Sequence, residues 1–294
     1  MHDPRLNEFK LTTSDAAKVI MVGYPDDEGI RLNNGRPGAS QAPDEIRKIL
    51  FKMTPGFENS HPAFLFDAGN IDLDQPLEKR HELAQQKAYD SYQASKFHLT
   101  LGGGHDYGFP DAAAFVEFFK KSKKKPVVIN FDAHFDVRPL DKGLTSGTPF
   151  YRLFESMKTP FHFLEVGIQE HCNSKEHLQW LKNKKASLLF EKEITKKSLK
   201  KSLFPFLNKW KGHPTFISLD IDVFSSSVAP GCSQSWPVGL SSEDFFKAWP
   251  DIFKNLDIKG LGLYEVSPPL DVSPLTSRLA ALIIHRTFQL KGFL

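Results

Sequence analysis

The sequence predicts an α/β fold, a parallel β-sheet covered by helices on both faces. Short apolar, β-branched runs recur along the chain, and helix-length segments separate them. No internal repeat, low-complexity tract or long linker divides the 294 residues. Parallel strands need crossover connections, which place the helices on the faces of the sheet. A chain that is 40% hydrophobic and 25% charged buries a large core without disulfides. A single domain over residues 1–294 is therefore expected.

In chain order, Val19-Ile20-Met21-Val22-Gly23 reads as a strand ending in a glycine turn. Further strands are expected at 64–69, at 97–101 before Gly102-Gly103-Gly104, and at 126–131, 161–166, 215–219 and 260–265. Helices are expected at 77–95, 111–121, 174–184, 241–255 and 277–290. In open parallel sheets ligands bind beyond the carboxyl ends of the strands.

Composition excludes several classes of function. The net charge is only +3, and runs such as Lys120 to Lys125 read as solvated helix ends, so no nucleic-acid partner is expected. Two cysteines, Cys172 and Cys232, form no CxxC pair and no disulfide framework, which suits a reducing compartment. Residues 1–18 are polar, without the apolar core of a signal peptide, and no stretch approaches the roughly 20 apolar residues that cross a bilayer. A cytoplasmic protein with no membrane partner is expected.

Three segments put metal-type ligands at strand ends: Gly104-His105, Asp132-Ala133-His134-Phe135-Asp136 and Asp220-Ile221-Asp222. In an extended chain, residues i, i+2 and i+4 point the same way, so Asp132, His134 and Asp136 converge, as do Asp220 and Asp222. Four close carboxylates repel unless cations neutralise them. Two divalent ions about 3.5–4 Å apart do so, and a ligand set rich in oxygen with two imidazoles and no thiolate suits manganese better than structural zinc. An isolated DxD is more often a helix cap, and a lone strand-end histidine more often structural; three such segments together favour the metal. Water held between two cations loses a proton near neutral pH and attacks an electrophilic carbon. Glu265, also at a strand end, offers paired hydrogen bonds to a cationic amidine or guanidine.

These motifs resemble the ureohydrolase (arginase/agmatinase) superfamily. Gly-Gly-Gly-His105, Asp132-Ala-His-Phe-Asp136, Ser218-Leu-Asp-Ile-Asp222 followed by Ala229-Pro230-Gly231, and Glu265-Val-Ser-Pro268 occur in the order of that family. The resemblance implies a three-layer α/β/α fold, a mainly parallel sheet of about eight strands, and C–N bond hydrolysis at two Mn2+ per subunit. His105, Asp132, Asp136 and Asp220 are expected to hold one ion and Asp132, His134, Asp220 and Asp222 the other, with Asp132 and Asp220 bridging. Glu265 matches the glutamate that receives the cationic group. Relatives commonly form trimers or hexamers.

Within the superfamily, 27–39, 130–138, 146–150 and 166–169 are most similar to the formimidoylglutamases, which implies release of formamide and L-glutamate from N-formimidoyl-L-glutamate. The loop 144–150 lacks the histidine typical of arginases and agmatinases. Arg31, Arg36 and Arg138 are the expected partners for the two substrate carboxylates, and Ser146 a further substrate contact. The chain departs from the family where Phe224-Ser225-Ser226-Ser227 follows Asp222 and at Cys232-Ser233-Gln234-Ser235-Trp236, which leaves agmatine, guanidinobutyrate or another guanidino acid as alternative substrates. Cys232, with no histidine base beside it in sequence, reads as buried and inert. A catalytically silent metabolite-binding relative is the alternative of another class; six intact ligands and Glu265 argue against it.

Overall fold

The computed structural model describes residues 3–57 and 62–294, so the first two residues of the polar N-terminal stretch lie outside the described residues. Its strands are β1 (Val19–Gly23), β2 (Leu65–Asn70), β3 (Phe97–Leu101), β4 (Val127–Phe131), β5 (His162–Ile168), β6 (Ser187–Phe190), β7 (Pro214–Asp220) and β8 (Asp257–Tyr264). They form one eight-stranded sheet, ordered β2-β1-β3-β8-β7-β4-β5-β6, with every pairing parallel. The helices are α1 (Glu28–Leu32), α2 (Ala42–Leu50), α3 (Leu77–Gln93), α4 (Gly108–Phe119), α5 (Pro149–Ser156), α6 (Lys175–Asn183), α7 (Glu191–Lys197), α8 (Leu199–Lys209), α9 (Ser242–Asn255) and α10 (Leu275–Leu290).

Seven strands lie where the apolar runs predict them. The edge strand β6 has only four residues, too short a run to stand out. Helices α1, α2, α5, α7 and α8 were also not expected; α8 carries an internal proline, Pro205, which masks its pattern. Two of the predicted helices, α6 and α9, start on serine caps: the Ser174 and Ser241 hydroxyls accept the His177 and Asp244 N–H groups.

Alternate residues of each central strand divide between two cores. Val127, Ile129 and Phe131 of β4 pack with Ile46 of α2, Leu203 of α8, Trp249 of α9 and Ile284 of α10. Val128 packs on the other face with Ala88 of α3, Ala113 of α4, Phe150 of α5 and Leu181 of α6. The result is the expected three-layer α/β/α arrangement, and each fully buried side chain of this size contributes roughly 1.5–3 kcal/mol. Toward the carboxyl ends the α3–α6 face turns polar: Thr100, Gly262, Ser218, Asn130 and Glu165 stand side by side in register across β3, β8, β7, β4 and β5. The next layer up holds the candidate site. Among the described residues no helix is long and apolar enough to cross a membrane.

Candidate metal centre

The glycine run after β3 is a steric requirement. A Cβ on Gly103 would lie 1.8 Å from the Asp26 carbonyl oxygen, and one on Gly102 2.3 Å from the Tyr264 ring. Only residues without side chains let the backbone pass this closely and set His105 over the end of the sheet. There the Ser218 hydroxyl lies 2.8 Å from His105 Nε2. His105 Nδ1 faces Asp132 Oδ2 at 3.0 Å, Asp136 Oδ2 at 2.9 Å and Asp220 Oδ2 at 3.2 Å. The ring stacks on Tyr264 with centroids 4.9 Å apart, and Tyr264 is itself fixed by donating its hydroxyl to the buried Asp111.

The second segment converges by a different route from the extended chain predicted. β4 ends at Phe131, and Asp136 sits in the left-handed region at φ 49°. The chain folds back between them, so Asp132 and Asp136 meet at His105 while the His134 ring turns to Asp222. His134 Nδ1 is 2.9 Å from Asp222 Oδ2 and 3.4 Å from Asp132 Oδ1. Asp222 likewise lies in a short 3-10 turn rather than on β7, and the Asp220 carboxylate caps that turn by accepting the Asp222 N–H at 2.9 Å.

Ligand atoms of His105, Asp132, Asp136 and Asp220 all lie within 4.8 Å of one another, and so do those of Asp132, His134 and Asp222. Asp132 belongs to both groups. Asp220 belongs to the first alone, its other oxygen engaging the Asp222 amide. The buried His105 Nδ1 has no hydrogen-bond partner, while Nε2 has Ser218. An imidazole lone pair aimed at three carboxylates fits a cation, and a proton on Nε2 leaves Nδ1 free to ligate.

Electrostatics point the same way. Burial alone would lower His105, but Asp132, Asp136 and Asp220 outweigh it and hold the ring well above its usual range. For His134 burial is outweighed by Asp222 and Asp132. Burial and then the Asp132 charge push Asp136 up to about 6, and burial pushes Glu265 up to about 8. Asp220 is raised by burial and then by Asp222 and Asp132. Asp132 goes the other way: His105 and His134 overcome its burial and keep it ionised. Four crowded carboxylates thus share too little positive charge, which two divalent ions would supply.

A cavity of about 250 Å³ opens onto His134, Asp136, Asp220, Asp222 and Glu265. Glu265, at φ 64° and 6% exposed, accepts the His105 N–H at Oε1 (3.0 Å). Of the three arginines expected at the substrate, only Arg138 lines this cavity, and it makes no ion pair among the described residues. Arg31 is paired with Asp27 at 2.8 Å, and Arg36 donates to the carbonyls of Ser233 and Cys232, clamping that loop. Ser146 lines the cavity, its hydroxyl accepting from Asn33 Nδ2 at 3.1 Å.

Asn33, Cys172, Asn173 and His177 also line the cavity and were not anticipated. They come from the end of α1, the turn after β5 and α6, so no local motif joins them; only the position of 172–173 beyond β5 was a usable signal. Trp236 lines the cavity too, packed edge-on against His171 at 4.6 Å. Cys232 is buried with its thiol pushed up by burial, and Phe224 packs under the site against Phe245 at 5.0 Å.

Comparison with known proteins places this arrangement among relatives. The arginase family model matches residues 17–289. A formimidoylglutamase of Clostridium tetani is 32% identical over 272 residues, covering 90% of this chain and 80% of that protein. A formimidoylglutamase of Legionella pneumophila is 32% identical over 286 residues, covering 95% and 86%. The crystal structure of Trypanosoma cruzi formiminoglutamase with Mn2+2 superposes with a TM-score of 0.88 at 29% identity, covering 99% of both chains. Formimidoylglutamase from Bacillus subtilis gives 0.83 at 28% identity, covering 98% and 91%.

Proposed function

The chain belongs to the arginase family, and from that premise we propose that it is a dinuclear manganese hydrolase converting N-formimidoyl-L-glutamate and water to L-glutamate and formamide. One observation carries the choice of substrate. The cavity over two ligand groups that share Asp132 offers a carboxylate, Glu265, and an unpaired guanidinium, Arg138. Formimidoylglutamate is cationic at its amidine and anionic at its two carboxylates, so its charges match those two handles. The names of the relatives and the Mn2+ of the Trypanosoma cruzi structure support the same reading.

In this reading His105, Asp132, Asp136 and Asp220 hold one ion. Asp132, His134 and Asp222 hold the other, and Asp220, placed by its geometry with the first ion, would complete the second as a further shared carboxylate. Bound there, the pair supplies a water nucleophile active near neutral pH and positive charge against the developing transition state. The protein does the rest. Ser218 holds His105 Nε2 at 2.8 Å and so orients the ring with Nδ1 toward the carboxylates. Glu265, its Oε1 held by the His105 N–H, turns its remaining oxygen to an amidinium N–H. The cation returns to Glu265 the charge that burial discourages and fixes the reacting carbon in place. Arg138 takes a carboxylate in a charge-assisted pair, with Ser146 and Asn33 beside it.

Residues 1–294 act in this proposal as one catalytic domain on a small molecule, in the cytoplasm and as a trimer or hexamer; light scattering measures the assembly. The decisive experiment is product analysis with formimidoylglutamate, arginine, agmatine and guanidinobutyrate side by side in Mn2+. Formimidoylglutamate should turn over fastest. Faster hydrolysis of agmatine would refute the substrate and leave the metal chemistry standing.

A further inference from the structure

One layer below the ligands, Glu165, Asn130 and Ser218 stand in register on β5, β4 and β7, all fully buried. Ser218 reaches His105, as described. Asn130 uses its side-chain amide nitrogen twice, donating to Glu165 Oε2 at 2.9 Å and to Asp132 Oδ2 at 3.2 Å. Asp132 Oδ2 is also the oxygen that faces His105, whereas Oδ1 faces His134. Together with the His134 N–H, which donates to Oδ1 at 2.6 Å, the Asn130 N–H on Oδ2 fixes which oxygen of the shared carboxylate serves which ligand group. Free rotation of the Asn130 amide would undo that selection, so something must hold it.

Glu165 is the group in position to do so, and its surroundings dictate its form. It makes no salt bridge among the described residues, and two oxygens of the row, Glu165 Oε1 and Asn130 Oδ1, are buried without any partner. An ionised carboxylate with no cation beside it is among the most costly groups to bury. It would also add a fifth negative charge to four carboxylates that already balance two divalent ions. One proton removes the charge and supplies the donor the row lacks.

We propose that Glu165 is a positioning residue, held as a neutral carboxylic acid that locks the Asn130 amide and through it orients Asp132 for ion binding. Burial and then the charge of Asp132 drive this carboxyl well above its usual range, in agreement. The inference rests on the reading that Asp132 and His105 hold ions.

The test compares wild type, Glu165→Gln and Glu165→Leu by Mn2+ titration calorimetry, melting of the ion-free protein and infrared spectroscopy. Gln offers Asn130 the same donor and acceptor as the neutral acid, so its Mn2+ affinity should stay within about twofold of wild type. Leu offers neither, and affinity should fall roughly 10–100-fold, the usual effect of losing a partner behind a ligand. Ion-free melting should not fall for Leu, because an apolar side chain replaces a buried acid; a purely structural role would lower melting and affinity together. Leu at wild-type affinity would overturn the positioning role, and Gln as weak as Leu would overturn the neutral acid. The infrared difference between wild type and Glu165→Gln at neutral pH should contain the carbonyl band of a protonated carboxyl. Carboxylate bands in its place would overturn the proposal even if the Leu variant failed to fold. Wild type that bound no Mn2+ would instead defeat the underlying ion assignment, while the infrared result, which needs no ion, would still decide the state of Glu165.

Discussion

Asp132 is the residue whose removal says most about the dinuclear reading. It is the one side chain in both ligand groups, and it is fully buried. Asp132→Ala cuts the first group from four ligands to three and the second from three to two. It also leaves three carboxylates against the 4+ charge of two divalent ions, so an uncompensated positive charge stays in a buried site. Breaking a buried charge pair by deleting one partner costs about 3–5 kcal/mol, which corresponds to roughly 10²-fold to 4 × 10³-fold in affinity for the weaker ion. We expect elemental analysis after Mn2+ reconstitution and dialysis to fall from about two ions per chain to one or fewer. Turnover of formimidoylglutamate should drop at least 10²–10³-fold. The ion-free fold should melt close to wild type, because Asp132 caps β4 above the apolar cores rather than filling them. Two ions per chain with near-normal turnover in this variant would refute the shared-carboxylate assignment.

Glu265→Gln should lower kcat about 10–100-fold through loss of a charge-assisted contact worth roughly 1.5–3 kcal/mol, leaving Mn2+ stoichiometry unchanged; full activity would remove Glu265 from the amidine. Arg138→Ala, at an exposed cavity wall, should raise KM about tenfold with little change in kcat, whereas Arg31→Ala and Arg36→Ala should leave KM for the carboxylate-bearing substrate alone. Asp220→Ala should abolish turnover after reconstitution, and near-normal rates would show that this segment is misassigned. The rise in melting temperature on adding Mn2+ should grow as pH rises through about 6, the value to which Asp136 is raised. The sign is fixed because raised carboxyls and raised imidazoles both favour the ion-free fold at low pH and lose that contribution as pH rises, while ligation needs all of them deprotonated. A thermal shift that shrinks with rising pH would contradict it.

The fold was legible because its central strands are buried on both faces and read as continuous apolar runs, and because Ser174 and Ser241 announce their helices. What escaped was short or masked: the four-residue edge strand β6, the proline-bearing α8 and the five-residue α1. All six residues of the two candidate ligand groups were legible, since each lies at or just beyond the carboxyl end of a strand. Their geometry was not, because Asp136 leaves the extended conformation, and an aspartate, though more tolerant of positive φ than most residues, does not by itself announce φ 49°. The substrate side was least legible. Arg31 and Arg36 lie in the right segments, yet the first meets Asp27, an acidic neighbour four residues back on α1, and the second meets backbone carbonyls 196 and 197 residues away. The i,i+4 pair becomes readable only once helix α1 is expected, and local sequence does not report the long-range one, just as it did not report Asn33, His177 or the Glu165–Asn130 pair.

The candidate site keeps two strained backbones, at Asp136 of the first ligand group and at Glu265, the proposed amidine contact. Asp136 and Glu265 both hold positive φ, a conformation that costs a non-glycine residue about 1–2 kcal/mol. Each is fixed from outside the ion groups: the Phe150 N–H donates to the Asp136 carbonyl at 3.1 Å, and the Glu265 N–H donates to the Gly103 carbonyl at 2.9 Å. The strain is therefore maintained by the sheet, the start of α5 and the glycine run. The crowded carboxylates raise His105 and His134 well above the usual imidazole range, so protons compete with cations for these two rings. A small structural zinc domain folds around its metal, so that metal binding is folding free energy. Here two apolar cores hold the frame, and ion uptake exchanges protons for cations inside it. Mn2+ affinity should therefore depend steeply on pH and on the residues behind the ligands, and only weakly on the stability of the sheet.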